Sequence, residues 1–581
     1  MADERRLGLA LSGGGFRASM FHLGVLSRLA ELDLLRHVEA ISTVSGGSIL
    51  GALYCLEVKN LLENKADDEI TQQDYIQLVD SVMRRFITAI QRNIRMRAYA
   101  DPVSSFRMAF DPAFTRSDKL AHLYDALLYT PAAEQNPTLA PLIRSRGRET
   151  CRVRMTDLRI VPKGATAEFH PKRENRGRKA KIPMLYVNAT CLNTGRRWLF
   201  TTSWMGERFG PARKDDPNVN AVLRGFYYEE ASDKYRNLPL AVAVAASAGV
   251  PGLFPPLPLT DLYPGWKPEL VDGGVRDNLG LVSLDQELGG VDFILSDASD
   301  VMEDMREVAP LDTTVALRSL WVMWDRIRDL TVATARSRQE PVVYTKGGLP
   351  VPEVAPFWAQ QATTIEPPPV ASEIDPDVLD AIARIRTDLD AFSDVEEDAL
   401  MGAGYLLADA QMRAANKATS RFPAPSPAVQ HSWLFRWILP ELKAPSAKLL
   451  RELHTGRYRF TKTLQLPIRA LADWLLTPTQ AVQRAESEGK AERPGALARA
   501  LGHSELALLD LGDAVRTRGR DAAIRVLTAA RELGLGAVAM PLAVADLALV
   551  NWIFLALERR PHPAPLAVVQ GALRRALRRV A

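Results

Sequence analysis

The chain has 581 residues, 47% of them hydrophobic and 24% charged, a globular composition too long for one ordinary core, so more than one domain or a large insertion is expected. Three cysteines, Cys55, Cys151 and Cys191, have the spacing of neither a disulfide framework nor a metal knuckle, which fits a reducing compartment. The net charge of +4 hides an asymmetry: residues 421–581 hold 24 Lys and Arg against 13 Asp and Glu, while residues 1–420 hold 49 against 56. A basic tail on a slightly acidic body calls for an anionic partner, a lipid surface or nucleic acid.

Met1-Ala2-Asp3-Glu4-Arg5-Arg6 leads directly into an apolar run with no signal-peptide h-region, so nothing argues for export. Leu7-Gly8-Leu9-Ala10-Leu11 reads as a buried strand ending in glycines, and Met20, Leu23, Leu26, Leu29 and Ala30 recur at helix spacing after it. Val38 to Ile41 reads as a second strand and Ser48 to about Leu62 as a second helix. This alternation predicts a sheet covered by helices. Residues 63–150 look helical, and strands are expected at Arg152–Ile160, Met184–Thr190, Arg197–Thr202 and Asp292–Asp297. The basic run 172–181 reads as a solvated hairpin tip or, alternatively, a head-group clamp. Helices are expected at 320–338 and 378–415, and Phe422-Pro423-Ala424-Pro425 reads as a linker. The division this gives is 1–420 as one domain and 421–581 as a mainly helical, basic region.

Three separated segments carry chemistry. Ser45 lies between an apolar strand and a helix, with Gly47 two residues after it and Thr43 two before, the setting of a nucleophile elbow, where strand and helix approach closely and neighbours must be small. The usual residue at the earlier position is glycine, so Thr43 is a departure. Gly13-Gly14-Gly15 opens the first helix, where free amides and the positive helix end suit an anion. Neither a P-loop nor a dinucleotide fingerprint fits, because no Gly-Lys-Ser/Thr and no G-x-G-x-x-G spacing is present. Oxyanion stabilisation is what remains, with Arg17 bracing the loop. The four histidines after Asp272 all fall in the helical tail, and His22 lies inside the first helix, so a histidine base is not expected. Asp272, ahead of Gly273-Gly274, is the candidate base, since those glycines let the backbone turn beside the serine.

In this order, the glycine loop, Ser45 and Asp272 resemble the patatin-like phospholipases over roughly residues 7–415. Ala246-Ser247-Ala248-Gly249-Val250-Pro251, Asn188-Ala189-Thr190, Asn193-Thr194-Gly195, Arg386-Thr387-Asp388-Leu389 and Gly404-Tyr405 are similar to that family as well. The resemblance implies a three-layer α/β/α fold. It also implies a Ser45–Asp272 dyad, an oxyanion hole at Gly13, Gly14 and Gly15, and hydrolysis of acyl esters of phospholipids or lysophospholipids through an acyl-enzyme. The family needs no calcium, so no cofactor or metal is expected.

The tail lies outside the resemblance. Trp433-Leu434-Phe435-Arg436-Trp437 pairs aromatics with a cation, as interfacial segments do, and Leu573 to Arg579 is a basic amphipathic end. Residues 533–557 are apolar apart from Asp546 and Asn551 and read as buried bundle helices, a peripheral insertion or a membrane span. The expected setting is cytoplasmic, peripheral at the inner face of a membrane, with lipid and not nucleic acid as partner. Rival readings are a partner-gated effector and a catalytically silent membrane-binding module.

Overall fold

A computed structural model of the chain describes residues 6–92, 94–100, 115–147, 149–207, 223–251, 253–288, 291–299, 312–337, 342–346, 373–387, 389, 391–418 and 430–456. Two compact units are present, the first taking residues up to 95, 111–303 and 321–455 and the second 96–110, 304–320 and 456–581. The site lies in the first. The boundary expected near 420 and the apolar stretch 533–557 lie outside the described residues, as does the basic end of the tail. Among the described residues, no helix is long and apolar enough to cross a membrane.

The first unit is built on a ten-stranded mixed sheet with helices on both faces. Its strands are β1 (Arg6–Leu11), β2 (Val38–Val44), β3 (Met184–Cys191), β4 (Arg196–Phe200), β5 (Trp204–Gly206), β6 (Phe226–Tyr227), β7 (Leu257–Pro258), β8 (Glu269–Asp272), β9 (Val291–Asp297) and β10 (Val342–Lys346). The order is β10-β9-β1-β2-β3-β4-β5-β6, parallel from β10 to β3 and antiparallel from there. Helices that matter here are α1 (Gly15–Glu31), α2 (Gly46–Asn64), α3 (Gln72–Ile90), α4 (Arg116–Tyr124), α5 (Leu240–Ser247), α6 (Leu281–Leu288) and α7 (Asp394–Ala418).

β1 sits between β2 and β9 and is buried on both faces, which is why it reads as an unbroken apolar run. Alternation sends Ala10 and Ala40 to one face, where they pack with Leu281, Leu284 and Leu288 of α6. Leu11 and Thr43 face α2 on the other. α1 and α7 meet backbone to backbone there. A Cβ on Gly24 would lie 1.8 Å from the Met401 carbonyl oxygen, and one on Gly404 2.1 Å from that of Phe21.

β3 carries the sheet's decisive irregularity. Its residues Met184–Asn188 pair with β2 in parallel, and Ala189–Cys191 pair with β8 in antiparallel, while β4 runs alongside Val187–Cys191. β2 and β8 therefore share one edge of β3 and run toward each other, β2 ending opposite Asn188 and β8 ending opposite Ala189. The ends that meet carry Ser45 and Asp272.

The structure departs from the sequence reading in three places. Arg152–Ile160 is not a strand: Met155–Leu158 forms a 3-10 turn, because Asp157 accepts the Arg154 amide at 2.8 Å and pairs with Arg146. Residues 172–181 therefore form no hairpin tip. Asn175 and Lys181 are buried within the run, and the Asn175 side-chain oxygen accepts from the Ile182 amide at 2.8 Å. Trp433 and Phe435 are buried against the catalytic body, not interfacial. The cause is Glu31, the last residue of α1 and fully buried. Its carboxylate accepts from Arg28 (2.8 Å), the Tyr405 hydroxyl (2.6 Å), the Trp433 indole (2.8 Å) and the His431 amide (2.8 Å). Four donors satisfy a charge that would otherwise be costly to bury.

The glycine-mediated crossing gives a direct test. Gly24→Ala places a methyl on the Met401 carbonyl and should cost on the order of 1–3 kcal/mol or more, since rigid backbone must yield. A shift of the urea midpoint at unchanged slope measures it.

Candidate active site

The sharp turn after β2 puts Ser45 at φ 50°, ψ −118°, a left-handed conformation that a residue with a Cβ rarely adopts. Such strain persists only where surrounding contacts fix it. Here they are backbone contacts: a Cβ on Gly47 would lie 2.3 Å from the Leu11 carbonyl oxygen, and one on Gly46 2.0 Å from that of Gly15. Gly46 and Gly47 can only be glycine because the elbow leans directly on β1 and the glycine loop. Thr43, the departure from the usual pattern, fits because Gly51 makes room one turn into α2, where an added Cβ would lie 2.5 Å from the Thr43 methyl.

A chain of hydroxyls holds the strained turn. The Ser45 amide donates to Ser247 Oγ at 3.1 Å, Ser247 and Ser48 hydroxyls lie 2.8 Å apart, Ser48 donates to Thr43 Oγ1 at 2.9 Å, and Thr43 donates to the Tyr186 carbonyl at 3.1 Å. Each hydroxyl has one proton. With the last proton given to a carbonyl and the Ser48 proton given to Thr43, Ser247 must donate to Ser48, so the relay runs in one direction from Ser45 to β3.

Asp272 closes β8, with its amide on the Gly249 carbonyl at 2.9 Å; the next amide, that of Gly273, is on the Ser247 carbonyl at 3.2 Å. Its Oδ1 accepts from the Gly274 amide at 2.7 Å, and its Oδ2 is buried without a hydrogen-bond partner. Burial pushes the carboxyl up to about 6, against the Ser45 hydroxyl and the Gly274 amide, which hold it down. The hydroxyl thus acts on the carboxylate from a contact looser than full hydrogen-bond geometry. Gly273 is confined, a Cβ there lying 2.4 Å from the Asn188 carbonyl, and one on Gly274 would lie 2.5 Å from Asn278 Oδ1.

The glycine loop reaches the same spot. Gly14 has φ 140° and Gly15 φ 60°, and a Cβ on Gly13 would lie 3.1 Å from the Ser45 Cβ. The Gly13 amide is already spent, donating to the Asn278 carbonyl at 3.0 Å, so this residue ties the loop to the segment after Asp272. Arg17 braces the loop: its guanidinium donates to the carbonyls of Ala383 (3.3 Å), Ile385 (3.2 Å) and Ala298 (3.0 Å). His22 stands behind it, fully buried, its Nε2 donating to the Ser12 carbonyl at 2.9 Å and its Nδ1 accepting from Ser296 at 2.6 Å. Burial lowers its pKa to about 4, so it is neutral at physiological pH and faces away from chemistry. Among the described residues no cluster of His, Cys, Asp or Glu could hold a metal.

Ser45, Asp272, Gly13, Gly14, Gly15, Gly47, Gly273 and Gly274 thus converge, with Arg17 one layer behind. Sequence reasoning gave no role to Gly46, Ser48 or Ser247; the signals present were hydroxyl residues at 43, 45 and 48 on one elbow and, for Ser247, its place in a family-similar segment. A cavity of about 570 Å³ lined by Arg28, Asp409, Arg413, Arg436 and Lys443 lies elsewhere. Arg28 is thirteen residues along α1 from the glycine loop, about 20 Å at helical rise.

A mixed sheet between helical layers, with the strand-to-helix turns at one end, defines an α/β/α domain of the patatin type. Residues 9–285 match the patatin-like phospholipase family, so the chain carries a patatin-like phospholipase domain, a lipid acyl hydrolase domain, over this span. No curated protein matches the sequence. Among solved structures, VipD from Legionella pneumophila aligns at 15% identity over 97% of this chain and 93% of its own, with a TM-score of 0.27. Human GIVD cytosolic phospholipase A2 aligns at 13% over 71% and 60%, with a TM-score of 0.34. The type III effector ExoU aligns at 14% over 98% and 86%, with a TM-score of 0.25. At these scores the similarities carry no further argument.

The relay predicts a difference between two substitutions at one position. Thr43→Val keeps the shape but strands the Ser48 proton in a buried site, costing about 1–3 kcal/mol. Thr43→Ser keeps the acceptor and should recover most of that loss in urea unfolding.

Proposed function

We propose that the protein hydrolyses fatty-acyl esters of phospholipids or lysophospholipids by a Ser45–Asp272 dyad. The observation that carries this reading is the meeting of a strained serine with a buried carboxylate whose Oδ2 is otherwise unpartnered. Ser45 Oγ attacks the acyl carbonyl carbon as its proton passes to Asp272. The amides of Gly14, Gly15 and Gly46, at the starts of α1 and α2, face the oxygen that becomes negative. The tetrahedral adduct collapses, the ester C–O bond breaks, and the departing alkoxide takes the proton from Asp272. Water then attacks the acyl-serine with Asp272 again as base, releasing fatty acid and restoring Ser45. A base near pH 6 suits this work, being ionised at neutral pH yet basic enough to share a proton.

Ser45→Ala should remove ester hydrolysis and labelling by a fluorophosphonate, a loss of roughly a thousand-fold or more, and Asp272→Asn should cost about 10²–10⁴-fold. His22→Gln should cost far less in kcat at matched stability. Since only ionised Asp272 accepts a proton, kcat/KM should fall as pH drops below about 6 and be flat above it. Equal activity of Ser45→Ala and the parent protein on defined lipids, read by mass spectrometry of products, sinks the proposal.

Tail docking to anionic membranes is a second part of the reading, supported by the 24 basic against 13 acidic residues of 421–581. Because residues 431–433 satisfy Glu31, a shortened protein must end after Gly456 and not at 420. That protein should bind phosphatidylserine vesicles less than the full chain at low salt, the difference shrinking at high salt. It should still cleave a short soluble ester. Equal vesicle binding assigns the tail to packing or to a protein partner.

A further inference from the structure

Tyr124 ends α4, a helix packed along α5, and α5 hands Ser247 to the Ser45 amide and to the Gly273 amide. The chain continues from Tyr124 into a π turn, Asp125–Tyr129, a rare distortion that often marks functional sites. The polar side chains of the turn itself, Asp125 and Tyr129, are accounted for. Asp125 accepts from Thr130 Oγ1 (2.7 Å) and the amides of Arg152 (3.0 Å) and Val153 (3.2 Å), and Tyr129 donates to the Ile49 carbonyl at 3.2 Å. The Tyr124 hydroxyl is the exception: fully buried and without a partner. Asp272 Oδ2 is the second orphan, just beyond α5. The Asp272 charge acts on the Tyr124 phenol, raising it on top of burial.

Resting on the dyad reading above, we propose that Tyr124 is a positioning residue for catalysis, donating its phenolic proton to Asp272 Oδ2 in the working enzyme. Two buried orphans of opposite hydrogen-bonding character are each costly alone and cancel when joined. The donor holds the carboxylate oriented toward Ser45 and favours its ionised form, and the proton stays on tyrosine throughout. Among the described residues, the groups facing Asp272 are then the Ser45 hydroxyl, the Gly274 amide and this phenol, with no cation acting on it.

The test is the pH profile of kcat/KM on a soluble ester, with the full chain. Tyr124→Phe removes one oxygen, and the acidic limb should move up by about one pH unit, a charge-assisted hydrogen bond being worth at least that much. Activity should drop roughly tenfold near pH 5 and less than about twofold near pH 8. If Tyr124→Phe folds poorly, 3-fluorotyrosine at position 124, a stronger donor of nearly the same size, should move the limb down. A limb unmoved by either change, or an equal loss at every pH, overturns the proposal and leaves Tyr124 as packing or a substrate contact. A limb that persists in the residual activity of Asp272→Asn instead overturns the dyad, which separates the two failures.

Discussion

Two strands arriving from opposite directions on one edge of β3 create the site. β2 pairs in parallel as far as Asn188, and β8 takes over in antiparallel from Ala189. Neither can run further without colliding with the other, so both chains must leave the sheet at the same point. One leaves through Ser45 into α2, the other through Asp272 into Gly273-Gly274. Ser45 and Asp272, 227 residues apart in sequence, are brought together by hydrogen-bond register, which is rigid because a slip of one residue would turn every side chain to the wrong face.

Such convergence requires backbones to touch, and this explains the glycines better than flexibility does. Gly46 abuts Gly15, Gly47 abuts Leu11 and Ser12, and Gly273 abuts Asn188. These contacts leave Ser45 no relaxed conformation, and the hydroxyl relay to the Tyr186 carbonyl ties the turn to the strand that sets the register. The same tightness excludes water, which raises the affinity of Asp272 for a proton. Closeness, strain and basicity have one origin.

The sequence was informative where a residue type has a single use. A glycine run after an apolar strand, a serine between strand and helix, and an aspartate before paired glycines are local signals, and each of these segments lies at the site. Contacts made by common residues were not legible. Ser247 and Ser48 are ordinary serines until folding sets their hydroxyls 2.8 Å apart. Arg152–Ile160 looked extended because its apolar alternation outweighed one capping aspartate, Asp157. Trp433 and Phe435 looked interfacial because nothing local reveals Glu31, some 400 residues earlier, as the acceptor that draws them inward.

The shared edge of β3 also fixes when the site can form. A chain emerging from the ribosome can form the parallel βαβ unit of β1, α1 and β2 from its first sixty residues, but the far edge of β1 belongs to β9, and the far edge of β2 belongs to β3, whose remaining length is completed by β8. Until residues 269–297 have been synthesised and threaded into place, Ser45 has neither Asp272 beside it nor the central strands of the sheet beneath it. Long-range pairing of this kind is slow to close. A site so constructed cannot assemble before β8 and β9 have joined the sheet, with topology setting the order.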